Sequence, residues 1–204
     1  MRFQLITGEK GITRRSIRPL MQVNRDIVVR PANRNDIPRI AIVCLSSVSD
    51  EEVRGFGKPA SELLFANADR LESQWREANR VGSEEVFVAE LSGSLVGCVT
   101  IEDRGEELEL VDIDIQRENQ HQGVGTRIVQ FVEDIARKKG KTAITLGTSR
   151  SSEGKPWTSL SWWQSLGYEI THEEENEWTR SIGPGVKEIR MRKSLGRSRQ
   201  GGHS

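Results

Sequence analysis

Apolar positions recur with alternating periods of about two and about four between residues 27 and 194, and this alternation predicts a mixed strand and helix chain. Ile27-Val28-Val29-Arg30 reads as a first strand, closed by Pro31. Asn35 or Asp36 is placed to cap a helix that carries Ile37, Ile40, Ala41, Cys44 and Leu45 on one face, with Pro38 in its first turn. Residues 61–79 read as a second helix, with Leu63, Leu64, Ala66, Ala68, Leu71 and Trp75 as its apolar side. Residues 86–91 and 95–101 are strands joined through Ser92-Gly93-Ser94, a hairpin, and Arg104-Gly105-Glu106 turns the chain into a third strand, 108–115. Residues 124–139 return to the helical period through Val124, Ile128, Phe131 or Val132, and Ile135. Gly140 ends that helix, and Arg137, Lys138 and Lys139 oppose its dipole. Beyond it come a short apolar strand, 142–146, suited to a buried parallel position, and a short helix, 158–166, ending at Gly167. A strand starts at Tyr168, and Gly183-Pro184-Gly185 turns into a last strand, 186–191.

Length and composition narrow the picture. With 204 residues the chain holds one domain plus extensions, or at most two small domains. A hydrophobic fraction of 35% against 29% charged is polar, but enough for one core. Lys plus Arg and Asp plus Glu are both 30, so no global basic field points to nucleic acid. Cys44 and Cys98 both lie in apolar runs and are expected as buried thiols of a reducing compartment, with no disulfide and no metal site. No apolar run approaches the roughly 18 residues of a membrane span. The start of the chain lacks the apolar core of a signal peptide, so a cytoplasmic location is expected. Residues 1–26, with Lys10, Arg14, Arg15, Arg18 and Arg25, form a basic N-terminal extension, 27–194 the domain, and the Gly/Ser/Arg-rich 195–204 a disordered tail.

The candidate chemistry sits between the strand 108–115 and the helix 124–139. Gln120-His121-Gln122-Gly123-Val124-Gly125-Thr126 puts two glycines at a helix N-terminus. Glycines let backbone N–H groups approach a ligand closely, and the helix end adds about half a positive charge, so the loop suits a pyrophosphate. A P-loop would need Gly-Lys-Ser/Thr, and here Thr126 and Arg127 follow Gly125. The dinucleotide fingerprint needs Gly or Ala where Ile128 stands. What fits is Q/R-x-x-G-x-G/A, with Gln120, Gly123 and Gly125 in the fixed places. The bland alternative is an ordinary glycine-containing turn from strand to helix.

That loop, the element order β-α-α-β-β-β-α-β-α-β-β, Leu166-Gly167-Tyr168 and the ending Met191-Arg192-Lys193-Ser194-Leu195 together resemble the GCN5-related N-acetyltransferase (GNAT) superfamily over roughly residues 27–194. The resemblance implies a single α/β (α+β) domain of GNAT type, with a mixed central sheet of about six to seven strands and helices on both faces. It implies an acetyl-CoA-dependent N-acetyltransferase, with acetyl-CoA as co-substrate and an amine of a small molecule or peptide as acceptor. Backbone groups of Gln120, His121, Gln122, Gly123, Val124, Gly125 and Thr126 would then hold the pyrophosphate. Those of Ile113 and Ile115 would pair with the pantetheine like an added strand, and the Ile113 N–H would polarise the thioester carbonyl. Glu109, eleven residues before Gln120, matches the base of the histone-acetylating members. Asp112 and Asp114 are the alternatives, expected on the opposite face of an alternating strand.

The chain departs from the family at the general acid. The usual Tyr position is Trp163, the Asn often seven residues before it is Pro156, and the single tyrosine, Tyr168, takes the structural aromatic place. The thiolate then leaves unassisted, since a thiol pKa near ~8.5 makes it a fair leaving group, or with help from Ser159, Ser161 or a water. Trp157, Trp162, Trp163 and Trp178, with Glu173, Glu174, Glu175 and Glu177, suggest an aromatic and acidic mouth for a cationic amine. The alternative, from another class, is an acetyl-CoA-binding sensor or interaction module with little catalytic activity. A homodimer is compatible with the resemblance, whereas a membrane or nucleic-acid partner is not expected.

Overall fold

Strand-forming residues with period-two burial build a meander. In the computed structural model, which describes residues 27–47, 84–150, 153–157 and 159–196, β1 (Ile27–Pro31), β2 (Glu84–Leu91), β3 (Ser94–Arg104) and β4 (Glu107–Ile115) pair antiparallel in sequence order. The basic arm 1–26, the helix expected at 61–79 and the tail beyond residue 196 lie outside the described residues. Ser92 and Gly93 join β2 to β3 with φ of 51° and 79°, the paired left-handed conformation that matches the twist of a two-residue hairpin. A crossover through α2 (Val124–Lys138) then lays β5 (Ala143–Arg150) parallel to β4. The chain continues through α3 (Ser159–Ser165), β6 (Glu169–Glu174) and α4 (Glu177–Ile182) to β7 (Lys187–Ser194). The result is one seven-stranded mixed sheet in the order β1-β2-β3-β4-β5-β7-β6, with β7 inserted between β5 and β6.

Alternation along the strands sorts the core into two layers. Phe87 and Ala89 join Val99, Ile101, Leu108 and Leu110 under Val124, Ile128, Val132 and Ala136 of α2. Val88, Leu95 and Cys98 point the other way, onto Ile40, Val43 and Cys44 of α1 (Ile37–Ser47). Helices therefore cover both faces, as expected. Of the two candidates for the α2 core position, Val132 is fully buried, while Phe131 is half-buried and meets Phe87 edge-on at 5.2 Å. At the end of α2, Gly140 (φ 71°) lets Lys141 N–H reach Ala136 O at 2.9 Å and Gly140 N–H reach Arg137 O at 3.0 Å, a Schellman closure.

Three expectations need correction. The cap before α1 is Asn33, not Asn35 or Asp36: its side chain accepts from Asn35 N–H, and a single 3-10 turn (Arg34–Asp36) leads into α1. Asp36 instead closes a capping box by accepting from Asn33 N–H at 2.9 Å. The last two strands are separated by α4, capped by Asn176, which the run of glutamates and the short apolar content concealed. The core also runs one residue past 194, because Leu195 is buried and its N–H donates to Thr142 O at 2.8 Å.

The buried Asp36 carboxylate also takes two hydrogen bonds from Arg30, at 2.8 and 3.0 Å, and Glu90 accepts from the same guanidinium. Arg30 holds Asp36 below the ordinary carboxylate range, against the opposing cost of burial. A lowered native value contributes stability that is complete above the unfolded carboxyl value near ~3.9 and is lost as pH falls through the lowered one. Asp36→Asn should cost about 2 kcal/mol at neutral pH and give a shallower loss of stability under acid. Urea melts of both proteins at neutral and acidic pH check both statements.

Candidate functional site

Two neighbouring parallel strands that part company leave backbone groups exposed along the gap. β4 and β5 pair only from Glu107↔Ala143 to Leu110↔Leu146. At that point β4 carries a bulge: Thr100 of β3 faces Asp112 and Ile101 faces Leu110, so Val111 is an extra residue. A bulge bends and over-twists its strand, and β4 leaves β5 there. Residues 112–115 stay paired with β3, while 147–150 stay paired with β7. The N–H of Gln116 donates to Val96 O on β3 at 2.9 Å. By strict alternation the backbone groups of Ile113 and Ile115 therefore face away from β3, into the gap.

The loop 120–126 closes one end of this gap. His121 (φ 58°) and Gly123 (φ 88°) both take left-handed conformations, and Gly123 is the N-cap of α2. The first amide to bond back is that of Arg127, to Gly123 O at 3.0 Å. The N–H groups of Val124, Gly125 and Thr126 thus precede the helical ladder at the positive end of a 15-residue dipole. Gly125 is a close packing contact: a Cβ there would stand 2.8 Å from Ile115 Cδ1 and 3.1 Å from the Trp162 ring, so both neighbours would have to give way. Gln120 has a bracing part. Its Nε2 donates to Ser47 O (2.8 Å) and Ile115 O (3.1 Å), tying the loop to the ends of α1 and β4. Gln122 Nε2 donates to Glu118 O at 2.7 Å, and the side chains of His121 and Gln122 are exposed.

The bulge also corrects the expectation about the carboxylates. Leu108 and Leu110 lie in the core under α2, so Glu109 faces the α1 side. Ile113 and Ile115 pack on the same core, so Asp112 and Asp114 also face the α1 side, together with Glu109 and not opposite it. Asp114 accepts from Ser47 Oγ of α1 at 2.6 Å. Glu109 is held on both oxygens by Arg190 Nη2, at 2.7 and 2.8 Å, and accepts from Thr145 Oγ1. Arg190 also donates to Glu188 at 2.8 Å, and Glu188 accepts from Asn176. Burial opposes the Arg190 charge most strongly, but the bonds to Glu188 and Glu109 outweigh it and raise its pKa. Gly147 leaves room for this network, since a Cβ there would overlap the Glu188 carboxylate. Sequence reading missed Arg190, Glu188 and Thr145. They come from β5 and β7, and only strand order brings them beside Glu109.

On the other face, Trp163 is buried, with the Trp162 ring tilted by 49° against it at 4.4 Å and Tyr168 edge-on at 5.2 Å. Burial raises the Tyr168 phenol, which has no hydrogen-bond partner among the described residues. Thr148 Oγ1 and Ser159 Oγ lie 3.2 Å apart where β5 borders the gap. The four tryptophans have different surroundings: Trp162 and Trp163 pack with the core, while Trp178 on α4 is half exposed. Glu173 is ion-paired with Arg150 at 2.8 Å. No helix among the described residues is long and apolar enough to cross a membrane.

The family model described as the acetyltransferase (GNAT) family matches residues 46–155. Probable N-acetyltransferase 14 of Xenopus tropicalis is 30% identical over 94 residues, 45% of this chain and 44% of that protein. An uncharacterized protein of Bacillus subtilis is 28% identical over 100 residues, 48% of this chain and 59% of the other. The chain spans about half the length of the curated relatives it matches. Among solved structures, PaiA N-acetyltransferase of Thermoplasma acidophilum in complex with coenzyme A shares the fold at TM-score 0.62 and 16% identity, over 83% of this chain and 99% of that one. The ribosomal-protein-S18-alanine N-acetyltransferase of Escherichia coli does so at TM-score 0.61 and 17% identity, over 87% and 99%. The parted strands, the glycine loop and the family match agree: this chain belongs to the GNAT acetyltransferase family, whose co-substrate is acetyl-CoA.

Proposed function

We propose that the chain transfers an acetyl group directly from acetyl-CoA to an amine of a small molecule or peptide, in the cytoplasm. The observation that carries this reading is the gap between β4 and β5, with the backbone of Ile113 and Ile115 turned into it and the N-terminus of α2 at its end. In this reading the pyrophosphate sits on the amides of residues 122–126. The pantetheine adds to the free edge of β4 as a strand would. The Ile113 N–H donates to the thioester oxygen as negative charge develops there. The attacking amine approaches from the α1 face and loses its proton to Glu109, directly or through a water, with Asp112 as the alternative base. Arg190 and Thr145 keep the Glu109 oxygens in place. Two unbonded thiols, Cys44 and Cys98, fit a reducing compartment.

A second reading draws on the thiolate side. Trp163 and Tyr168 are both buried and neither offers an acid to the departing sulfur, which favours an acetyl-CoA-binding module of low turnover. Calorimetry with acetyl-CoA, followed by thiol release across an amine panel, separates the two. Binding with release supports the enzyme, binding without release across the panel supports the module, and absence of binding overturns both.

The cradle and the fold are separable by charge. Thr126→Asp puts a carboxylate at the start of α2, where the dipole favours it by about 0.3–1 kcal/mol. The melting temperature should hold or rise while CoA affinity falls at least about tenfold; unchanged affinity by calorimetry would remove the loop from the site. Glu109→Gln should leave CoA affinity within error and lower kcat by about a hundredfold. Full turnover in that variant would pass the base to Asp112.

A further inference from the structure

Cys44, Cys98 and Asp114 come from α1, β3 and β4 and converge on the face opposite α2. Their ligand atoms all lie within 4.8 Å of one another. Cys98 and Asp114 are direct partners in the β3–β4 register, so sheet pairing fixes two of the three donors. The buried face of α1 delivers the third. The two sulfurs stand 3.9 Å apart. A disulfide needs about 2.05 Å. Two thiolates bound at ~2.3 Å to one tetrahedral cation stand ~3.8 Å apart. The spacing therefore suits a cation between the sulfurs better than a bond joining them. Ser47 Oγ donates to Asp114 Oδ1 at 2.6 Å and orients that carboxylate, as the partner behind a metal ligand does.

We propose that Cys44, Cys98 and Asp114 bind a thiophilic divalent cation, zinc being the natural occupant of a two-sulfur, one-oxygen set. Binding converts two thiols and one carboxylate into two thiolates and one carboxylate on the cation and releases two protons, leaving a net charge of −1 at the site. A small oxygen ligand completes the tetrahedron. A bound cation would join α1 to β3 and β4 beside the carbonyl of Ser47, which accepts from Gln120 of the glycine loop. The site stands on its own geometry and does not depend on the catalytic reading above.

The test is titration of the reduced, metal-free 204-residue chain with Co2+, whose thiolate-to-cobalt charge transfer and tetrahedral ligand-field bands report the ligand set. The expected result is both bands saturating at stoichiometric cobalt and displaced by Zn2+. Cys44→Ala and Cys98→Ala should each weaken the charge-transfer band and the affinity. Asp114→Asn should keep the band and weaken binding at least about tenfold. Circular dichroism checks that each variant is folded. Native mass spectrometry of the wild-type protein with Zn2+ tests the site without any variant and should show one added zinc and two lost protons. Wild-type protein with confirmed free thiols and no charge-transfer band overturns the proposal. So does an undiminished band in Cys44→Ala, or recovery of the pair as a disulfide in the presence of stoichiometric zinc.

Discussion

One extra residue in β4 sets the shape of everything around it. Opposite Thr100 and Ile101, β4 supplies one residue too many, Val111, and beyond it the strand turns away from β5. A backbone N–H or C=O that loses its ladder partner needs another: Ile115 O finds one in Gln120 Nε2, and the other backbone groups of Ile113 and Ile115 face the gap. The same insertion resets the side-chain alternation. It brings Glu109, Asp112 and Asp114 onto one face and leaves Ile113 and Ile115 packed beneath α2.

The rest of the site is arranged to hold that opening fixed. α2 is anchored by its core stripe and ends in a Schellman turn, so its positive end stays aimed at the gap. Gln120, the first fixed residue of the loop pattern, acts as a brace between α1 and β4, while the glycines serve geometry. Gly123 supplies the left-handed cap, and Gly125 the close contact with Ile115 and Trp162. Across the sheet, Arg190 spans Glu109 and Glu188. Charge-assisted hydrogen bonds of this kind are stronger than neutral ones, and half-burial shields them from the screening that weakens surface pairs.

The α1 face contains two polar groups of different character. Glu109, Thr145, Arg190, Glu188 and Asn176 form a connected network over β4, β5 and β7. Cys44, Cys98, Asp114 and Ser47 form a smaller, more buried group between α1 and the sheet. The end of α1 links the second group to the glycine loop, because the backbone of Ser47 accepts from Gln120 while its hydroxyl donates to Asp114.

The sequence by itself determined whatever depends on neighbours along the chain. The period-two runs of β2 to β4, the helical stripe from Val124 to Ile135, the turn at Ser92 and Gly93 and the glycine-bearing N-terminus of α2 are local patterns, and all were legible. Glu109 and the loop residues were named from the resemblance to the GNAT family, by their offsets from Gln120. Tertiary structure decided what depends on register and strand order. No local signal marks Val111 as a bulge, because the mismatch exists only against β3, and with it went the facing of Asp112 and Asp114. Arg190 is remote in sequence from Glu109 and meets it only because β7 inserts between β5 and β6. Cys44, Cys98 and Asp114 read as two core thiols and a strand carboxylate until the packing of α1 on β3 and β4 closes the distance between them.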